Sequence, residues 1–217
     1  MRAEMIGEIK AVARRHLATN GANLSLRAIA RELDMVSSAL YRYFASRDDL
    51  LTALIIDAYN EMGEVAERAD AAVAERAEGP GRWLAVARAL RAWALANPAE
   101  YGLLYGTPVP GYVAPADTTP AANRPARVLG GILADSVLLE GRDFVLSPAL
   151  AAEVRRIAEA GSPGVGDSAM VRGLIAWTLL FGALNFELFG RINQTIDERD
   201  EWFDQQMAAM IEYIGLG

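Results

Sequence analysis

The chain is expected to be all-α, and three observations lead there. Apolar residues recur at helical spacing through every long segment, with no β alternation of useful length and no internal repeat. Residues 25 to 47, SLRAIARELDMVSSALYRYFASR, read as two short helices joined by a break, the pattern of a helix-turn-helix. Residues 169 to 191 are apolar on two faces, which requires burial on two sides. The predicted architecture is an N-terminal three-helix unit, residues 1–46, joined by a long connector helix to a larger helical domain within residues 47–217.

In chain order, residues 3 to about 19 place Ile6, Ile9, Val12, Ala13 and Leu17 on one helix face, with Asn20-Gly21 as the stop signal. That face can cover Ile29, Leu33, Leu40 and Phe44 of the next two helices. The opposite face leaves Arg14, Arg15 and His16 to solvent or to a DNA backbone. The first helix of the pair runs from Ser25 to Leu33 and breaks at Asp34 to Val36. The second then carries Ser37, Ser38, Tyr41, Arg42 and Tyr43 outward, while Val36, Leu40 and Phe44 fall at i, i+4, i+8 on its inner face.

Ser46-Arg47-Asp48-Asp49 resembles a capping box opening a helix that keeps apolar spacing from Leu50 to Ala66 and meets its next breaker at Gly79-Pro80-Gly81. Such a helix spans on the order of 40 Å at about 1.5 Å per residue. Trp83 to Ala96 is the next amphipathic helix, ended by Asn97-Pro98. Ala99 to Leu104 makes a turn or two before TPVPGYVAPADTTP, which is too rich in proline for regular structure. Helical spacing returns from about Ala121 to Leu139 through Val128, Leu129, Ile132 and Val137. Pro148 opens a helix running to Ala160, and GSPGVGD is the loop after it.

Of the two faces between Ala169 and Arg191, one stripe is Val171, Leu174, Thr178, Gly182, Asn185 and Phe189, and the other is Trp177, Phe181, Leu184 and Leu188. One face can meet the chain's own core and the other a second copy of the chain, Gly182-Ala183 allowing close approach. The final helix supplies Phe203, Met207, Met210 and Ile214, so that two helices from each subunit form a four-helix interface. Both faces being internal to a monomer is the other reading. Glu187 and Arg191 stand at i, i+4, where a helix ion pair accounts for Glu187.

Composition narrows the function. With 217 residues and 53% apolar content the chain can bury a real core. It has no cysteine and a single histidine, so neither a thiolate site nor a histidine cluster, and hence no metal, is expected. No uninterrupted apolar run of membrane-spanning length and no leader peptide is read, so a cytoplasmic location away from the membrane is expected. The net charge of −7 divides unevenly: residues 1–50 hold eight Lys/Arg against six Asp/Glu, and residues 51–217 hold thirteen against twenty-two. Only the N-terminal part suits phosphate.

The segment LSLRAIARELDMVSSALYRYFASRDDLLTAL, Leu24 to Leu54, resembles the DNA-binding segment of the tetracycline-repressor (TetR) family through IA, LYRYF and SRDDL at the family's spacings. Length and helix order agree, and WTLLFGALNFELFG, Trp177 to Gly190, is similar to a helix of the subgroup marked by Trp, His-Gly and Glu, with Phe181 where that subgroup often has His. The turn also departs from the family: Asp34 stands where Gly is usual and Val36 where Ser or Thr is usual. Asp tolerates left-handed backbone better than most residues, whereas losing a hydroxyl cap costs about 1 kcal/mol.

The resemblance implies a ligand-responsive transcriptional regulator, most simply a homodimeric repressor released from a palindromic double-stranded DNA operator by a largely hydrophobic small molecule. It implies that Arg27, Tyr41, Tyr43 and Arg47 contact phosphates. Ser37, Ser38 and Arg42 would lie beside base edges, with Ala39 against a thymine methyl. The alternative for the two tyrosines is ring packing, and a ring can do both. For the larger domain the resemblance implies a cavity, for which Tyr59, Met62, Trp93, Tyr101, Tyr105, Trp177 and Phe181 are candidate lining, plain core being the other reading of each. No cofactor is implied.

Two further classes stay open: a small-molecule-binding dimer with weak or lost DNA binding, and an enzyme on a helical scaffold. No glycine-rich phosphate loop, nucleophile elbow or zinc pattern supports the enzyme, so no catalytic residue is named.

Overall fold

The computed structural model describes residues 2–21, 23–73 and 78–217. Among them the helices are α1 (Arg2–Asn20), α2 (Leu26–Glu32), α3 (Ser37–Leu40), α4 (Arg47–Val73), α5 (Gly79–Ala96), α6 (Pro98–Tyr105), α7 (Thr119–Ala122), α8 (Arg124–Asp135), α9 (Pro148–Gly161), α10 (Asp167–Leu188) and α11 (Arg199–Ile214). The only extended pairing among the described residues is an isolated bridge between Leu138 and Leu216. The fold is all-α.

Local chemistry sets most of the boundaries. Gly21 closes α1 with φ +57°, and the Ser25 hydroxyl accepts the Ala28 N–H at the start of α2. The Ser46 hydroxyl accepts the Asp49 N–H at 3.0 Å to open α4, where Asp48 and Asp49 complement the helix dipole. Ser147 caps α9 with Pro148 in its first turn. The expected continuation of the connector helix through 74–77 lies outside the described residues.

Three boundaries differ from expectation, one being the proline-rich stretch, whose end carries a 3-10 turn at Ala116–Thr118 and the start of α7. α5 opens at Gly79 instead of after the Gly-Pro-Gly stretch, because a proline in a first turn has no N–H to lose there. α8 stops at Asp135, so Val137 and Leu139 are not helical. The Ser136 hydroxyl donates to the Ile132 carbonyl. The next residues pair with the C-terminal tail instead, through Leu139 N–H to the Gly215 carbonyl at 2.7 Å and Gly217 N–H to the Val137 carbonyl at 3.1 Å.

The chain divides into two compact units, Met1–Glu61 with Ala96–Ala122, and Met62–Leu95 with Asn123–Gly217. In the first, Ile9, Val12, Ala13 and Leu17 of α1 pack with Ile29, Ala30, Leu40, Phe44, Leu50, Leu51 and Leu54. Leu103 of α6, with Val109 and Tyr112 of the loop after it, packs on the same core. Residues 96–122 therefore share a unit with the helix-turn-helix despite following α5 in sequence. In the second unit α10 is the central helix, touching α8, α9 and α11.

α10 is, by length and composition, apolar enough to cross a bilayer, with 22 residues and a mean hydropathy of 1.5. This revises the expectation that no stretch reaches that length. Here its buried cation is satisfied by protein: the Arg172 guanidinium donates to the Ile214 carbonyl at 2.9 Å and to the Arg142 carbonyl at 3.0 Å. These contacts are those of a core helix.

Candidate functional site

The helix-turn-helix comprises α2, the turn and α3. Asp34 takes φ +54°, the one positive φ outside glycine among the described residues. The turn is closed by Met35 N–H to the Ala30 carbonyl at 2.9 Å. The left-handed step expected of that position is present, held by a residue whose short polar side chain tolerates it. Val36 is the N-cap of α3 and supplies no side-chain cap. It is also 71% exposed, not on the inner face with Leu40 and Phe44. Its backbone is extended, at φ −68° and ψ 137°, so the helical spacing that predicted burial does not start until Ser37.

α3 itself is short, and its turn continues through Tyr43 N–H to the Leu40 carbonyl at 2.9 Å. Leu40 and Phe44 anchor it in the core, and Tyr43 packs its ring on that core. Ser38, Tyr41 and Arg42 are exposed, and Ser37 and Ala39 are partly so. Arg27, Tyr41 and Arg47 border one surface depression of about 450 Å³ with Ser25 and Ser46. A guanidinium pair and a phenol hydroxyl around one hollow are the donors a phosphate oxygen accepts from. Arg47 also lies 3.7 Å from Asp48.

Four basic side chains of α1 are paired within the chain. Arg14 binds Glu61 at 2.6 Å and Lys10 binds Asp57 at 2.8 Å. Arg15 and His16 both reach Glu32 at 2.8 Å. Burial works against the Arg14 charge, but the hydrogen bond to Glu61 and the nearby carboxylates raise its pKa overall. The Glu32 carboxyl is held below the usual range by the Arg15 hydrogen bond and then by His16. These pairs tie α1 to α2 and α4 within the first unit, while the Arg15 side chain stays 62% exposed, as the solvated reading expects of it.

Two cavities concern an effector. The first, in the second unit, holds about 430 Å³ between α5, α8, α9 and α10. Leu129, Leu133, Met170, Leu174 and Trp177 give it apolar walls, with Arg127 and Arg156 also at its border. Gly130 and Gly173 make this packing possible: a Cβ on Gly130 would lie 2.8 Å from the Gly161 carbonyl oxygen, and one on Gly173 2.5 Å from a Leu133 methyl. Trp83, 1% exposed, also lines the cavity, and its indole N–H has no hydrogen-bond partner among the described residues. An unpaired buried donor of this kind costs roughly 1–3 kcal/mol. Neither Trp83 nor the two arginines were singled out from sequence, since an indole at helical spacing reads as core.

The second cavity, of about 390 Å³ in the first unit, is bordered by Tyr59, Ile55, Leu103, Leu104 and Tyr112. The Tyr112 hydroxyl meets that of Thr52 at 2.9 Å. Tyr59 and Tyr101 stack against Tyr105 with ring centroids 6.1 and 5.2 Å apart. Burial pushes all three phenols up, Tyr105 further through its two neighbours. Of the seven candidate lining residues, Trp177 and Tyr59 each border one of these two cavities. Met62, Trp93, Tyr101 and Phe181 are buried side chains that line neither, and Tyr105 packs in the tyrosine cluster.

The outer surface of α10 carries Thr178, Leu179, Gly182, Asn185, Phe186 and Phe189, with Trp202 exposed on α11. Leu179, Phe186 and Trp202 join the predicted stripe. Val171 packs instead beside Val154, Ala158 and Met170, and Leu174 lines the first cavity. Phe203, Met207, Met210 and Ile214 are correctly a stripe but face inward, buried in the chain's own core, so they have no surface to offer a second copy. α11 has one continuous apolar stripe, and the core takes it.

Glu187 does not pair with Arg191, which lies beyond the end of α10. Its carboxylate accepts from Arg91 of α5 at 2.8 and 2.6 Å. Arg91 also reaches Asp200 at 2.7 Å and sits 5.1 Å from the centre of the Phe203 ring. No group of three or more metal-binding side chains occurs among the described residues.

Comparison with known proteins accords with this geometry. Residues 9–54 match the family described as bacterial regulatory proteins, tetR family, and residues 83–210 match the tetracyclin repressor-like C-terminal domain. HTH-type transcriptional regulators Mb1846 of Mycobacterium bovis and Rv1816 of Mycobacterium tuberculosis are each 41% identical over 205 residues, covering 88% of this chain and 83% of theirs. The crystal structure of the regulatory protein SCO4313 superposes with a TM-score of 0.81 at 35% identity, covering 97% of both chains. The chain belongs to the TetR family of DNA-binding transcriptional regulators.

Proposed function

We propose that the chain is a cytoplasmic homodimeric repressor whose residues 1–46 read a roughly palindromic operator, and that a small molecule held in the domain formed by residues 47–217 releases it. The observation that carries this reading is the presence of two exposed surfaces of different chemistry. One is the polar face of α3 with Arg27, Tyr41 and Arg47 around one hollow; the other is the exposed apolar stripe of α10 and α11. An apolar stripe carrying Leu179, Phe186, Phe189 and Trp202 suits an isologous contact, and twofold symmetry presents two identical reading heads. Ser37, Ser38, Ala39 and Arg42 lie toward base edges; Arg27, Tyr41, Tyr43 and Arg47 lie toward phosphates. For release, the effector must bind the DNA-free conformation more tightly, by the same free energy that DNA affinity loses.

The uncapped start of α3 favours one second reading, a ligand-binding dimer with a weakened head. Selection of bound duplexes from random DNA separates the two. The repressor reading expects enrichment of an inverted repeat with strong salt dependence, and a Phe186→Glu variant that sediments as a monomer and loses the paired site. An asymmetric half-site bound by monomer contradicts it, and absence of any enriched sequence supports the second reading.

A further inference from the structure

We infer that the cavity between α5, α8, α9 and α10 takes an amphipathic organic acid, with an apolar body inside and a carboxylate held at the border by Arg127 and Arg156. The inference rests on the effector reading above and names the chemical class that reading left open. The cavity is about 430 Å³, within the range of about 300–1,000 Å³ that small organic ligands occupy. Its walls are aliphatic, sulfur and indole surface, so the body of the ligand is apolar.

Three groups then ask for an acceptor. Trp83 borders the cavity with a buried indole N–H that no described residue satisfies. Arg127 and Arg156 border it too, and neither guanidinium makes a hydrogen bond or ion pair among the described residues. Elsewhere in this unit Arg82, Arg88, Arg91, Arg124 and Arg155 each clamp a carboxylate. Glu67, whose carboxyl feels the Arg127 charge, is already held by Arg124 at 2.6 Å. In a chain of net charge −7, two exposed guanidiniums left without a carboxylate at the border of an apolar cavity are positioned for an incoming one. A neutral apolar ligand leaves all three donors unused, and a cationic one meets two like charges.

The test uses the full-length protein and calorimetric titration with decanoate and with 1-naphthylacetate, each against its neutral methyl ester and against decyl phosphate. Both acids are expected to bind at least about tenfold more tightly than their esters, the scale of one charge-assisted hydrogen bond. The Arg127→Gln/Arg156→Gln variant is expected to bring acid affinity down to the ester level while leaving ester affinity unchanged, which also shows that the variant is folded. Trp83→Phe is expected to weaken acid and ester alike, since both carry an acceptor.

Equal binding of acid and ester, no effect of the arginine variant, or no binding of either acid overturns the inference. Preference for decyl phosphate over decanoate overturns the carboxylate assignment. Operator binding measured alongside keeps the two readings apart. Acid binding that leaves DNA affinity unchanged removes the effector role and retains the acid site. Operator release by a neutral compound with no acid binding retains the repressor and removes the acid site.

Discussion

Replacing Glu187 by Gln should destabilise the protein substantially, because it removes one half of a buried ion pair. The Glu187 side chain is 6% exposed and that of Arg91 13%, and two short hydrogen bonds join them. Removing one partner from such a pair typically costs about 3–5 kcal/mol, since the remaining charge stays out of water. Arg91 keeps Asp200, but that carboxylate is 94% exposed and compensates through solvent-screened attraction. Gln also retains one acceptor oxygen, so the lower end applies, about 3 kcal/mol. At about 2–4 °C per kcal/mol for a chain of this size, the thermal midpoint should fall by roughly 6–12 °C at neutral pH. Arg91→Met/Glu187→Met should melt higher than Glu187→Gln, because replacing both charges removes the stranded one. Differential scanning calorimetry reads all of these. A Glu187→Gln midpoint within a degree of wild type, with Arg191→Ala lowered instead, would refute the Arg91 pairing and restore the i, i+4 pair.

Val36→Ser should stabilise the reading head by about 1 kcal/mol in urea denaturation, because it adds a hydroxyl cap where the valine, being exposed, loses little burial; Val36→Ala should be near neutral. Stability should also respond to pH at both ends. Glu67 and Asp204 have lowered pKa values, chiefly through their hydrogen bonds to Arg124 and Arg88, so their contribution is present above the usual carboxylate range near pH 4 and is lost as acid titrates them in the folded state. Tyr59, Tyr101 and Tyr105 have raised pKa values, so stability is intact below about pH 10 and declines above it, where only the unfolded chain ionises freely. Chemical denaturation across pH 2 to 11 measures both limbs; a flat alkaline limb would show the tyrosines to be more accessible than their burial implies.

Much of the fold was legible because its signals are local. Ser46 caps the helix that its position announces, Pro148 lies in the first turn of α9, and the turn demanded a left-handed residue that Asp34 supplies. What was not legible depends on partners distant in sequence. Val137 and Leu139 leave the helix because the C-terminal tail satisfies their backbone, and Glu187 finds Arg91 ninety-six residues away. The phase of α10 was ambiguous because a helix apolar on most sides does not say which face meets its own core. Val171 and Leu174 turned inward, while Leu179 and Phe186 were left outside. The family segment made the helix-turn-helix recognisable. The apolar cavity was not recognisable, because Leu129, Gly130, Met170 and Trp177 converge only once α8, α9 and α10 have packed.

The proposed function requires that the hollow bordered by Arg27, Tyr41 and Arg47 grip phosphate while the outer face of α3 reads bases. Measuring the salt dependence of operator affinity for wild type, Arg47→Ala and Arg42→Ala tests it most directly. Arg47→Ala should weaken binding to all sequences alike and lower the slope of log affinity against log salt by about one unit per reading head, and Arg42→Ala should alter the preferred sequence. An unchanged slope for Arg47→Ala accompanied by a lower melting temperature would contradict the claim, assigning Arg47 to holding the start of α4 beside Asp48 and not to DNA.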